Sequence, residues 1–138
     1  MASVIATSGP NLQVRITNGQ HTIIADEPAS GGGDDQGFDP YSILLSALGA
    51  CTVMTLQLYA RHKKWDLRQV TVHLSHEKIY AEDCANCETK EGKLDRIQRQ
   101  ITLQGNLDSS QRERLHEIAK HCPVHRTLTS EIVIEDAE

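Results

Sequence analysis

Hydrophobic positions alternate in the first part of the chain, run almost unbroken in the middle, then alternate again. Between Asn11 and Thr17, Leu12, Val14 and Ile16 hold one phase and Gln13, Arg15 and Thr17 the other, which predicts a half-buried strand. Gln20–Ala25 reads as a second β run. Asn18-Gly19 between them predicts a hairpin, because tight hairpin turns favour residues that tolerate positive φ. Residues 1–10 read as an N-terminal tail. Glu27–Asp39 (EPASGGGDDQGFD) shows no periodicity and reads as a mobile, Gly-rich acidic loop. Its Gly31-Gly32-Gly33 run does not make a phosphate loop, since no Gly-Lys-Ser/Thr follows and the neighbouring acids repel phosphate.

Pro40–Lys64 is different in kind. From Ile43 to Ala60 it carries no charge, and its leucines, alanines and Met54 are helix formers. Pro40 suits a first helical turn, and Arg61, His62, Lys63 and Lys64 suit the negative end of the helix dipole. Leu44, Leu48, Cys51, Thr55 and Leu58 make one stripe; Ile43, Ala47, Ala50, Met54 and Gln57 make the next. A helix apolar on nearly every side is expected to be buried on nearly every side, with Cys51 as an interior thiol. The stretch sits at the lower length limit for a membrane span and is diluted by Ser, Thr, Gln and Gly, so it reads as a core helix, with no membrane role. A chain of 138 residues makes one domain (1–138) with a modest core. Wrapping such a helix is easier if a second copy supplies part of the cover, which predicts a homodimer.

Val70, Val72 and Leu74 alternate with Thr71, His73 and Ser75 as another strand; a slip in phase before Ile79 suggests a bulge or strand end. Glu82–Lys93 is polar loop. Ile97, Arg99, Ile101 and Leu103 against Gln98, Gln100 and Thr102 give the next strand, stopped by Gly105-Asn106. A second helix begins at Asp108 or Ser110, with Gln111 or Glu113 at capping-box spacing and Leu115, Ile118, Ala119 and Cys122 as its inner stripe. Pro123 stops or restarts that helix, Val124–Leu128 makes a further turn, and Ser130–Glu135 is a final strand. Adjacent strands on short links point to antiparallel sheet and an α+β class.

Composition narrows the function. A net charge of −5 and a pI near 5.8 leave no electrostatic footprint for nucleic acid and disfavour anionic membrane surfaces. The segment MASVIATSGPNL has neither a basic n-region nor a long apolar h-region, so the expected location is cytoplasmic, where thiols stay reduced unless they do redox or metal work. Four cysteines then become the informative residues: Cys51, Cys84, Cys87 and Cys122. A buried cysteine is often only a small hydrophobe. Cys122, however, precedes Pro123 at the start of a turn and is flanked by His121, His125 and Arg126, groups that can favour a thiolate.

The run DPYSILLSALGACTVMT and the later KHCPVHRTL resemble the OsmC/Ohr family of osmotically inducible and organic-hydroperoxide-resistance thiol peroxidases, over most of the chain. The resemblance implies an intertwined homodimer, antiparallel sheets wrapped around long central helices, with active sites at the interface. It implies a stress-response antioxidant that needs no cofactor. Cys51 would be the peroxidatic thiol that attacks an organic hydroperoxide, Cys122 the resolving thiol that closes a Cys51–Cys122 disulfide, and an external dithiol the reductant. The family sets an arginine from the N-terminal strands and a glutamate at the entrance to the central helix beside the thiol. Here the sole arginine before the helix is Arg15, and Tyr41 stands where the glutamate is expected. Asp39, Glu27 or other loop acids are the candidate substitutes, with His125 and Arg126 in support.

Cys84-Ala-Asn-Cys87 is open to three readings: half of a zinc site completed by His76 or a partner subunit, a redox pair, or two loop thiols with no role. The alternative function is therefore a zinc or small-ligand binding protein on the same fold, using Cys84 and Cys87 and having little peroxidase activity.

Overall fold

Strands β1 (Ile5–Ser8), β2 (Val14–Thr17) and β3 (Thr22–Ala25) form an antiparallel meander in chain order. The computed structural model describes residues 1–137 and divides into two compact units, Met1–Leu44 and Leu45 onward. Strand β1 falls in the segment expected to be a tail. All four of its residues are exposed, so no alternation marks it, and it is held instead by a turn in which Gly9 N–H donates to Gln13 O at 2.8 Å. The β2–β3 turn also differs from expectation. Only Gly19 takes a positive φ (97°), and Asn18 acts through its side chain, accepting from the backbone N–H groups of Gln20 and His21 at 3.0 and 2.7 Å.

The acidic loop is wound around Asp26, which is only 2% exposed. Its carboxylate accepts from the N–H groups of Glu27, Asp34 and Gln36 at 2.8, 3.2 and 3.1 Å. The backbone closes so tightly that a Cβ at Gly33 would stand 2.0 Å from Glu27 O. Asn11 Nδ2 ties the loop to the meander through Gly32 O at 2.9 Å. The expectation of a mobile flap missed this anchor, because an aspartate at the end of a strand looks like any other loop acid.

Helix α1 (Pro40–Lys63) ends in a Schellman motif. Lys64 takes φ 60°, its N–H donates to Arg61 O, and Trp65 N–H reaches back to Ala60 O at 2.9 Å. Trp65 then meets Tyr59 edge-on at 5.5 Å, the apolar contact that accompanies such a stop. By length and composition α1 could cross a membrane, alone among the helices of the described residues.

Strands β4 (Asp66–Tyr80) and β5 (Lys93–Asn106) make one long antiparallel hairpin whose register is interrupted near Arg68. The bulge expected before Ile79 is absent. The strand runs through to Tyr80 with both Glu77 and Lys78 turned to solvent, as a hairpin tip beyond the packed layer allows. Helix α2 (Ser109–Ala119) starts at Asp108 with a capping box to Gln111. Arg112 staples it to the end of β5 by donating to the carbonyls of Leu103, Gly105 and Leu107. Leu56, Leu103, Leu115, Ile118 and Ala119 form the core of this unit, with Tyr59, Trp65, Val70 and Ile101 against it.

The described chain differs from expectation at two further points. Only one face of α1 is buried, the stripe Leu48, Thr52, Leu56 and Ala60; Met54 and Leu58 are 63% and 60% exposed, and Cys51 is half-buried rather than interior. The strand expected over Ser130–Glu135 does not form, and Ile132, Val133 and Ile134 are all exposed. In both places a β or helical pattern is present, but a single chain supplies no surface to complete it.

Candidate functional site: two thiols and a buried threonine

Cys51 and Cys122 are both free thiols in the second unit. Cys122 is wholly buried, three residues beyond the end of α2, and is the N-cap of α3 (Pro123–Leu128). Pro123 sets the first helical position, and the Cys122 Sγ accepts from the His125 N–H at 3.3 Å. On its other side the sulfur lies 4.0 Å from Thr52 Oγ1, on α1. Thr52 directly follows Cys51 in the chain. The two helices thus bring the second thiol against the residue next to the first.

Thr52 is 0% exposed and has a full set of partners. Its hydroxyl donates to Leu48 O at 2.7 Å and accepts from Arg99 Nη1 at 3.1 Å. Arg99 reaches it from the inward phase of β5, between Ile97 and Ile101. Sequence reading placed Arg99 on that apolar face and assigned neither it nor Thr52 a role. The available signal was a cation in the buried phase of a strand, which is uncommon without a partner. The helix and strand approach closely at this level: a Cβ at Gly49 would stand 2.8 Å from Leu74 Cδ1, so the leucine tip would have to move aside.

A cavity of about 260 Å³ opens beside this cluster. Leu48, Ile97 and Leu128 form its apolar walls, and Arg99, His125 and Asp95 contribute polar groups.

The charges expected around Cys122 are arranged differently. Burial pushes the His125 pKa down, and the positive charges of Arg99 and Lys120 add to this, so the ring is neutral at pH 7. His121 Nδ1 lies 3.2 Å from Arg126 Nη2 on the exposed surface. A guanidinium only donates, so that nitrogen is the acceptor in the pair. The cation built into the cluster is therefore Arg99. Because the unfolded chain binds a proton at His125 more readily than the folded one, stability should rise with pH through the window just below about 6.5 and be lost as pH falls through it. Denaturant midpoints at pH 7.5 and 5.5 should therefore differ less for His125→Gln than for the unmodified chain.

The remaining candidates sit elsewhere. In the first unit, Arg15 is exposed on β2 with Nη2 3.5 Å from Thr22 Oγ1. Asp39 precedes α1; the Ser42 hydroxyl donates to its carboxylate and holds its pKa below the ordinary value. Tyr41 is exposed in the first turn. Beyond the end of the β4–β5 hairpin, Cys84 and Cys87 are joined in a disulfide. His76 pairs across the ladder with Ile97, four positions inside the last pair, about 13 Å from the tip at strand spacing, and bonds Asp95 at 2.8 Å. Among the described residues no three His, Cys, Asp or Glu side chains come together, so the zinc set Cys84, Cys87 and His76 is not assembled.

An α+β chain with a long apolar helix, a paired hairpin and two thiols carried by separate helices defines a thiol-bearing class. A family model described as OsmC-like protein matches residues 32–135, and the chain belongs to that family. No curated protein matches it. Solved structures share the fold. One, from Psychrobacter arcticus 273-4 and described in terms of osmotic stress induction and detoxification response, is 21% identical over 92% of this chain and 88% of its own, with a TM-score of 0.73. An OsmC-like protein from Mycoplasma pneumoniae is 21% identical over 93% and 86%, with a TM-score of 0.72. The organic hydroperoxide resistance protein OhrB of Bacillus subtilis is 17% identical over 94% and 90%, with a TM-score of 0.63.

Proposed function

We propose that the protein is a thiol-dependent peroxidase that reduces organic hydroperoxides and works as a homodimer in the cytoplasm. The observation that carries this reading is the Cys122 sulfur lying on Thr52, one residue from Cys51, with both thiols free. Thr52 directly follows Cys51 in the chain, so this contact brings the Cys122 thiol to the neighbourhood of Cys51, which supports a bond between the two sulfurs.

Chemically, the Cys51 thiolate attacks the distal oxygen of ROOH; the O–O bond breaks, RO⁻ takes a proton to leave as an alcohol, and Cys51 becomes a sulfenic acid. The Cys122 sulfur then attacks the Cys51 sulfur, the S–O bond breaks, and water leaves. A dithiol reductant restores both thiols by two exchange steps, ending as its own disulfide. No metal or cofactor enters. Relatives of the same fold that are named for organic hydroperoxide resistance support the choice of substrate class. The walls formed by Leu48, Ile97 and Leu128 also suit an alkyl group better than a small polar peroxide.

The homodimer rests on the bare face of α1. Ala47, Cys51, Met54 and Leu58 share that face, and Met54 and Leu58 are the exposed large side chains on it. A second copy laid there would complete the wrapping and cover Cys51. With a dithiol as electron source, an alkyl hydroperoxide should be turned over at least about tenfold faster than hydrogen peroxide in kcat/KM, a difference that apolar burial of the alkyl group accounts for. Equal rates for the two, or no turnover of either, would remove the substrate assignment.

A further inference from the structure

We infer that Thr52, held by Arg99, is the positioning residue for Cys122 in closing the disulfide; this rests on the peroxidase reading above. The inference follows from counting hydrogens. A threonine hydroxyl has one proton and two lone pairs. At Thr52 the proton is committed to Leu48 O at 2.7 Å, and one lone pair takes the Arg99 N–H at 3.1 Å. What remains to face the Cys122 sulfur at 4.0 Å is a lone pair. Cys122 must then present its S–H to Thr52, while its own lone pair receives the His125 N–H at 3.3 Å. Both directions of the sulfur are thus fixed in the resting protein, one by α1 and one by α3.

A threonine that bonds the carbonyl one turn back is common in helices and needs no functional account. The arginine is what sets this one apart. Arg99 occupies the apolar phase of β5, where an aliphatic side chain would pack with Ile97 and Ile101, and it donates to the Thr52 oxygen. A guanidinium drawn to a buried neutral oxygen holds that oxygen in place and leaves its O–H free to turn between acceptors.

When Cys51 is oxidised, Cys122 must lose its proton to attack. The proton goes to the departing hydroxide, which leaves as water, and the S–S bond replaces the S–O bond. As that proton leaves, the Thr52 hydroxyl can swing its own hydrogen from Leu48 O to the sulfur without moving its oxygen, because Arg99 keeps the oxygen in place. Thr52 would act only in this second step. The first step, attack by Cys51 on the hydroperoxide, does not use its hydroxyl.

The test follows both steps after one equivalent of an alkyl hydroperoxide, using a sulfenic-acid trapping reagent and quantification of the Cys51–Cys122 disulfide. In Thr52→Val, which keeps the shape and removes the hydroxyl, sulfenic acid should form at Cys51 at the normal rate but close to the disulfide at least about tenfold more slowly, the size of effect expected for one lost hydrogen-bonded contact. Thr52→Ser should restore closure, and Arg99→Met should slow it in the same sense. If the unmodified protein forms no Cys51–Cys122 disulfide, the peroxidase reading itself falls. If it does, and Thr52→Val or Arg99→Met closes at the normal rate, the positioning role is overturned. Slowing in both Thr52→Val and Thr52→Ser would likewise overturn it, since packing rather than the hydroxyl would then be responsible.

Discussion

Cys51→Ser is expected to lose hydroperoxide turnover by at least about a thousandfold, since it removes the attacking sulfur, and groups acting as the nucleophile carry effects of that order or more. Cys122→Ser should behave differently. Its Cys51 should still consume one equivalent of hydroperoxide and then stall as a sulfenic acid, detectable as a single added oxygen by mass. Steady-state rates with dithiol and intact-protein mass spectra check the pair. If Cys51→Ser keeps its activity, the nucleophile lies elsewhere. If Cys122→Ser accumulates no oxidised Cys51, the division of labour between the two thiols is wrong. The different environments of the thiols favour this assignment. Cys51 is half-buried in the single chain, whereas Cys122 is wholly buried between α1 and α3.

The second large effect should come from Met54→Glu combined with Leu58→Glu. These residues are 63% and 60% exposed in the single chain, on the face that a second copy is proposed to cover. Burying such a side chain is worth about 1.5–3 kcal/mol, and a symmetric contact loses each of them twice. Charges placed there add a desolvation penalty. The dimer dissociation constant should rise by at least about a hundredfold, which corresponds to only about 2.8 kcal/mol of that loss. Sedimentation velocity across a concentration series measures it, and the folded content by circular dichroism should stay near normal, because the core stripe Leu48, Thr52, Leu56 and Ala60 is on the opposite face. An unmodified protein that sediments as a monomer at every concentration would contradict the dimer outright.

Much of the fold was legible from periodicity. The long helix, the alternation of Val70, Val72 and Leu74, the facing strand through Ile101 and Leu103, and the second helix with its Asp108 cap all appear where the pattern puts them. Cys122 is buried, as its spacing of seven and four residues from Leu115 and Ile118 suggests, although α2 ends at Ala119 and the residue caps the next helix instead. What periodicity could not supply was the choice among faces of a helix that is apolar all round. Two stripes could be drawn on α1, and the buried one turned out to run through Leu48, Thr52 and Leu56, one position round from Cys51. Short exposed strands such as β1 carry no alternation, so residues 5–8 looked like tail.

The chemistry was legible in part. Cysteines stand out in a sequence, and both free thiols were picked out as candidates. Thr52 and Arg99 did not stand out, since a threonine in a helix and an arginine in a strand acquire meaning only when β5 crosses α1. The neighbouring histidines misled for a related reason. His125 and His121 looked like cations beside Cys122, but burial keeps the first neutral and an arginine donor requires the second to accept. Cys84 and Cys87 share the spacing of half a zinc site, yet they are joined to each other, and among the described residues no third ligand is assembled with them.

The proposed activity requires the two free sulfurs to meet. Peptide mass mapping under non-reducing conditions, after one equivalent of an alkyl hydroperoxide, addresses that most directly. A Cys51–Cys122 cross-linked peptide should appear in place of the two free thiols, with Cys84–Cys87 unchanged, and a dithiol should reverse it. Recovery of Cys51 and Cys122 as unlinked thiols after that treatment, with the hydroperoxide unconsumed, would contradict the account.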